Sequence, residues 1–172
     1  MFTREKGRLH LLAAGTLMLV LYLLQYCGFL PAHGAAPVLL LPALIICAMF
    51  LGEWYGAILG LITGIFIDAV SVDAFCFNTV AMLLLGCAAG LFIHLLLNNT
   101  ALSALLLCGG CTLVYVSARW VFFFFIQHPE NAVYHYTHYS LPSVLITLLL
   151  SIPLYFIIRK MMKLVDGHYE NR

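Results

Sequence analysis

The fold of this chain is decided by residues 36–68, APVLLLPALIICAMFLGEWYGAILGLITGIFID. Glu53 is the only charged residue in this stretch before Asp68 closes it. Because a membrane-spanning helix needs about 20 apolar residues, the stretch is either one over-long span or two short ones. Gly52-Glu53-Trp54 is the best turn signal within it. Dividing the stretch there predicts helices over residues 36–51 and 54–70.

The rest of the chain has the same apolar character. Of its 172 residues, 64% are hydrophobic and only 9% are charged, and the mean hydropathy is +1.04. A chain this short cannot hide so many apolar side chains from water. We therefore expect membrane lipid to surround it, and no nucleic-acid partner.

The basic residues are concentrated near the two termini. Seven of the eight lie there, and the connections between the predicted helices carry none: Arg4, Lys6, Arg8, Arg159, Lys160, Lys163 and Arg172. The positive-inside rule then places both termini in the cytoplasm. That placement requires an even number of crossings, so charge favours six spans over five.

We therefore predict an all-α integral membrane protein, a compact bundle of six transmembrane helices that forms a single domain over residues 1–172. The predicted helices cover residues 9–30, 36–51, 54–70, 77–97, 101–126 and 141–158. A helix-capping residue is expected within Asn98-Asn99-Thr100. Pro153 is expected to kink the last helix.

A ridge of glycines is the strongest local feature. Gly52, Gly56, Gly60 and Gly64 recur every four residues and lead to Asp68, so all five project from nearly one helix face. Small residues at this spacing let two membrane helices approach closely. The ridge is either an internal packing surface or a docking site for a partner helix. On the partner interpretation, Gly60→Leu would abolish partner capture and leave insertion largely intact.

Arg119 is the clearest charge at depth, about two thirds of the way along the predicted fifth helix. An unpaired charge there is costly. Asp68 is expected at a similar depth, so we predict a buried Asp68–Arg119 pair, with Asp73 or Glu130 as substitutes. The alternative is that Arg119 extends outward and is solvated.

Cys108-Gly109-Gly110-Cys111 has the spacing of a redox pair. It lies inside a predicted helix with no thioredoxin-like strand pattern around it, so small packable side chains are the preferred interpretation. A membrane thiol oxidoreductase would require Cys108 and Cys111 to change redox state.

One predicted outer loop is rich in histidine and tyrosine, with His128, Glu130, His135 and His138. Metal binding needs more ligands, so an interfacial aromatic segment is preferred and no metal or cofactor is expected. The chain also lacks a phosphate-binding glycine loop and a nucleophile elbow. We therefore do not expect an enzyme.

Residues 52–97 resemble the family of rod shape-determining protein MreD. The glycine-ridged helix runs into Asp68 of Ile67-Asp68-Ala69-Val70-Ser71, and Asn78 then opens a helix that carries Gly86 and Gly90. Members of that family usually have glycine and proline in the loop after the Asp, where this chain has residues 72–77, VDAFCF.

The resemblance implies a non-enzymatic, multi-pass scaffold of the bacterial inner membrane that maintains cell shape. Such a scaffold binds the single-span protein MreC. Through it, the scaffold helps couple the MreB filament to the RodA glycosyltransferase and its transpeptidase during cell-wall elongation.

The rival hypothesis is the substrate-binding subunit of an energy-coupling-factor vitamin transporter, whose six-helix fold MreD-like chains resemble. Such a subunit needs a polar pocket at the outer face. Asp68, Asn78, Arg119 and the outer loop rich in tyrosine and histidine could supply its polar groups.

Overall fold

A computed structural model describes residues 2–26, 38–70, 76–96, 100–122 and 136–170. The all-α prediction is confirmed over these residues, which form six α-helices and a π-helical turn, Tyr136–Ser140, before the last of them. The helices are α1 Phe2–Tyr26, α2 Leu40–Leu51, α3 Glu53–Val70, α4 Phe77–Leu96, α5 Ala101–Trp120 and α6 Leu141–Glu170.

Three helical segments are long and apolar enough to cross a membrane, judged by length and composition. They are Glu53–Val70, Ala101–Trp120 and Tyr136–Val165, and three shorter apolar helices accompany them: His10–Tyr26, Leu40–Leu51 and Phe77–Ile93. The described helices therefore form a bundle in which three apolar helices of membrane-spanning length pack with three shorter ones.

The turn between α2 and α3 consists of Gly52. Its φ of 91° lies in the left-handed region, which glycine adopts without the steric penalty of a side chain. The Gly52 amide still donates to the Ala48 carbonyl at 2.8 Å, and the Gly52 carbonyl accepts from Gly56 at 2.9 Å. The chain thus changes direction at one residue, where the sequence predicted a turn, and α3 includes Glu53.

The centre of the bundle is α2. Every residue from Leu40 to Met49 is buried, and α2 packs against each of the other five α-helices. At 12 residues it is about 18 Å long, shorter than the hydrocarbon core of a bilayer. A helix that is apolar on every side and enclosed by protein is a core element. The other helices surround it.

The helix ends differ from the predicted ones in several places. The first helix begins at Phe2, and the last continues twelve residues beyond Ile158 to Glu170, passing through Pro153 without a break. The start of α5, in contrast, is as predicted. Thr100 is its N-cap, because its side-chain oxygen accepts from the Ser103 amide at 3.3 Å.

Successive helices run in opposite directions, so their ends collect at two ends of the bundle. One end, called here the Asp68 end, carries the last turn of α3 and the first turn of α4. Hydrogen bonds there also join Gln25 of α1 to Leu39, at 3.1 Å, and Val38 to Thr147 of α6, at 3.2 Å. The opposite end, called the basic end, includes the α6 extension.

Candidate functional site

The glycine ridge of α3 is filled by α4. A Cβ atom added to Gly60 would lie less than 3.0 Å from the carbonyl oxygen of Met82, and one added to Gly56 would lie 2.5 Å from that of Gly86. The same holds at Gly64, where the obstructing atoms belong to the backbone of α4. The two backbones therefore touch along the whole ridge.

The close approach is reciprocal, because α4 contributes its own glycines. A Cβ on Gly86 would meet the Gly56 carbonyl, and a Cβ on Gly90 would lie 2.5 Å from the Glu53 amide nitrogen. The structure thus places the glycine ridge of α3 against Gly86 and Gly90 of α4 in an antiparallel hairpin. This geometry agrees with the interpretation of the ridge as an internal packing surface. No space for a partner helix remains on it. Gly52 lies at the turn before the ridge.

Asp68 caps the N-terminus of α4 from the neighbouring helix. One carboxylate oxygen accepts from the Asn78 amide, at 3.2 Å, and from the Asn78 side-chain nitrogen, at 2.8 Å. The other accepts from the Thr79 amide, at 2.8 Å, and from the Thr79 hydroxyl. The first amides of a helix have no partner inside it and favour negative charge. Asp68 therefore does across two helices what an N-cap residue does within one.

The residue before α4 does not take this capping role. Cys76 precedes the helix with a φ of 52°, in the left-handed region that residues with a side chain rarely occupy, and it is exposed. The cap comes instead from Asp68, eight residues earlier in the chain. The hydrogen bonds thus tie the end of the α3–α4 hairpin together.

A second polar step connects this hairpin to α5. The Tyr115 hydroxyl donates to the side-chain carbonyl of Asn78 at 2.6 Å, and both side chains are almost fully buried. One turn further along α5, the Arg119 guanidinium is near enough to the Tyr115 hydroxyl to act on it electrostatically. The Asn78 side chain therefore bridges two helices, donating to Asp68 and accepting from Tyr115.

The predicted pair of Asp68 and Arg119 is not formed, and hydrogen bonds from Asn78 to Asp68 and from Tyr115 to Asn78 take its place. Asp68 and Arg119 form no direct ion pair in the described part of the chain. Asp68 is half-buried and uses both oxygens on α4, while Arg119 is exposed and lies beside Tyr115. The physical reason is that the free amides at the start of α4 lie closer to the carboxylate than the guanidinium does. The proposed substitutes, Asp73 and Glu130, fall outside the described residues.

Replacing Tyr115 with phenylalanine is expected to lower the free energy of unfolding by about 1–3 kcal/mol. The ring and its packing remain, but the buried Asn78 carbonyl loses its hydrogen-bond donor. Thermal unfolding of the purified protein in detergent measures the effect. Tyr55→Phe is the matched control, because no described residue bonds to the Tyr55 hydroxyl. Equal stability of both variants would contradict a structural role for the Tyr115 bond.

The cysteine and histidine clusters are not brought together into a site by the described residues. Cys108 is buried and directs its thiol towards the Pro42 carbonyl, with sulfur and oxygen 3.9 Å apart, and Cys111 is a free thiol one turn on. His138 is exposed in the π-helical turn, while His128, Glu130 and His135 lie outside the described residues.

Sequence reasoning missed two members of the polar network. Thr79 supplies two of the four bonds to Asp68, and Tyr115 supplies the link to α5. A signal existed for each: Thr79 is at the third position of a helix, where a free amide is expected, and Tyr115 is four residues before Arg119 on the same helix face.

Over the described residues the chain is a bundle of apolar helices with a glycine-packed hairpin that Asp68 caps, and its class is that of the helical membrane proteins. The chain belongs to the family described as rod shape-determining protein MreD, whose sequence model matches residues 6–165, nearly the whole chain. Membership makes it a membrane protein with a role in determining rod shape. No curated protein and no solved structure matches the chain.

Proposed function

We propose that the protein is a non-enzymatic, multi-pass scaffold of the bacterial inner membrane in the cell-wall elongation complex. In this proposal it crosses the membrane six times with both termini in the cytoplasm and binds the single-span protein MreC. It thereby helps couple the MreB filament to RodA and its transpeptidase. Family membership is the first support for this role.

The observation that carries the proposal is the use of the polar groups at the Asp68 end. Asp68, Asn78 and Tyr115 hold helices to one another. Two cavities lie along the α5–α6 seam, of about 240 Å³ and about 550 Å³, and neither is lined by Asp68, Asn78 or Arg119. Polar groups committed to packing favour a scaffold over a transporter subunit that needs a polar substrate pocket.

The partner surface, in this proposal, lies on the lipid-facing side of the outer helices. The glycine ridge is occupied by α4, and α2 is enclosed. Membrane helices associate through close packing of side chains rather than through a hydrophobic force, so exposed apolar faces in lipid remain available for it. The bundle then acts as a rigid body against which a single partner helix packs.

Co-expression with the MreC-like protein of the same genome tests the scaffold directly. We expect the two proteins to co-purify in mild detergent, whereas an unrelated single-span protein expressed at the same level is not retained. Depletion of the protein in a rod-shaped host is expected to give rounded cells. Failure to capture the MreC-like protein, together with a co-purifying vitamin-sized ligand, would favour the transporter hypothesis.

A further inference from the structure

A cavity of about 240 Å³ lies between α5 and α6, in the half of the bundle nearer the basic end. Its lining includes buried Ile46 of the central helix, Ala104 and Cys108 of α5, and Ile152 and Tyr155 of α6. Most of these side chains are aliphatic or aromatic. The walls therefore suit a hydrocarbon ligand.

The cavity opens to the lipid side of the bundle and continues along the seam. Leu102 and Phe156 line it and are 67% and 58% exposed. Leu105 and Ile152 also line a second, more open groove of about 550 Å³, which follows α5 and α6 towards the Asp68 end. One turn of an α-helix, about 10 Å wide with its side chains, already exceeds the cavity volume of about 240 Å³. A single extended chain is the ligand shape that this volume suits.

Tyr155 is the one lining residue of this apolar space that carries a phenolic hydroxyl. The residue is only 3% exposed and lines the cavity, and its ring packs against Phe50 and Phe156, with centroids 6.1 Å and 5.7 Å away. No described residue makes a hydrogen bond with its hydroxyl. The neighbouring Ser151 hydroxyl is already used, donating to the Leu148 carbonyl at 2.7 Å. A tyrosine with its ring in apolar surroundings usually finds a partner for its hydroxyl, so a ligand oxygen in the cavity is the expected acceptor.

Cations follow on the same face of α6. Lys160 is one turn beyond Phe156, and Lys163 is a further turn on, so the wall of the cavity leads to two positive side chains. Both lysines and the adjacent Arg159 are exposed, and none of the three forms an ion pair with a described carboxylate. Basic residues at this position attract anionic lipid headgroups.

We propose that the α5–α6 cavity binds an anionic phospholipid from the leaflet at the basic end. One acyl chain lies in the cavity and extends into the groove. The Tyr155 hydroxyl donates to an ester carbonyl of the lipid, and Lys160 and Lys163 face its phosphate. The cavity thus supplies apolar volume, one hydrogen-bond donor and positive charge in the order in which a phospholipid presents chain, ester and headgroup.

Native mass spectrometry of the full chain in detergent tests the site, with phosphatidylglycerol and phosphatidylcholine of identical acyl chains as probes. We expect phosphatidylglycerol to bind one to one and more tightly than phosphatidylcholine. Tyr155→Phe is expected to lower its affinity by about three- to tenfold, the effect of one hydrogen bond. The double variant K160Q/K163Q is expected to lose about tenfold or more and the preference between the two lipids.

Matched controls separate the site from a general effect of charge or of tyrosine. Tyr55→Phe removes a hydroxyl elsewhere, and R4Q/K6Q removes the same number of positive charges from α1. Both are expected to bind phosphatidylglycerol like the original chain. Tyr155→Phe is expected to leave lipid-free thermal stability unchanged, because its hydroxyl contacts no described partner. A merely structural role for Tyr155 would instead lower that stability.

Filling the cavity gives an independent result. Ala104→Phe puts a ring into the space from its α5 wall and is expected to reduce phosphatidylglycerol binding, while the protein remains monodisperse. If that variant fails to fold, Tyr155→Phe decides. Unchanged affinity in Tyr155→Phe and in K160Q/K163Q would overturn the proposal and leave only a general lipid shell around the bundle.

Discussion

Replacing Gly60 with leucine is expected to prevent folding of the α3–α4 hairpin, with a loss of more than about 3 kcal/mol in the free energy of unfolding. Even a Cβ atom at this position would collide with the Met82 carbonyl and the backbone of Leu83. Backbone atoms cannot move aside as a flexible side chain can. Gly60→Ala is expected to be destabilising as well, to a smaller extent.

Gly15→Leu is the matched control, because a Cβ on Gly15 meets no atom within 4 Å. Size-exclusion chromatography and thermal unfolding in detergent are expected to show a folded Gly15 variant and little folded Gly60 variant. Because the Gly60 variant does not fold, we expect it to lose partner capture as well. A stable, monodisperse Gly60→Leu protein that only loses MreC capture would restore the interpretation of the ridge as a partner site.

Asp68→Asn is expected to lower the free energy of unfolding by about 3 kcal/mol. The carboxylate accepts four hydrogen bonds from Asn78 and Thr79, two from backbone amides and two from side chains. An asparagine amide has only one acceptor oxygen, and its NH₂ group would face donors. The start of α4 would lose its charge-assisted cap, and Asn78 would lose the partner that orients it towards Tyr115.

Glu53→Gln provides the comparison, since it removes a carboxylate from the other end of the same helix, where no described residue bonds to it. We expect thermal unfolding to show a small change for Glu53→Gln and a large one for Asp68→Asn. Equal changes would mean that only the loss of negative charge matters, and not the four bonds of Asp68.

Much of the fold was predictable because local patterns dictate it. Continuous apolar runs require helices in lipid, since each helix satisfies its own backbone hydrogen bonds. Gly52 marked the turn between α2 and α3, and the four-residue spacing of Gly56, Gly60 and Gly64 marked a close-packing face. Hydropathy could not show that α2 is enclosed by protein, because a lipid-facing residue and a core residue of a membrane bundle are equally apolar.

The sequence predicted which residues belong to the candidate site, but it did not predict which of them contact one another. Asp68 and Asn78 were identified from their order in the chain, and their contact is direct. Arg119 was assigned to Asp68 because opposite charges at similar depth attract, yet the carboxylate is used by the α4 amides. Tyr115, which connects the two, was overlooked because a tyrosine within an apolar run looks like packing.

The sequence by itself determined that this protein is helical, where the chain turns between α2 and α3, and which face of α3 carries the glycines. Only the tertiary structure decided what fills that face and what Asp68 binds. The reason is that helical spacing is a local property, whereas a contact depends on how distant helices are oriented. Once α4 lies antiparallel on the ridge of α3, its free amides meet Asp68, and the ridge is closed to a further helix.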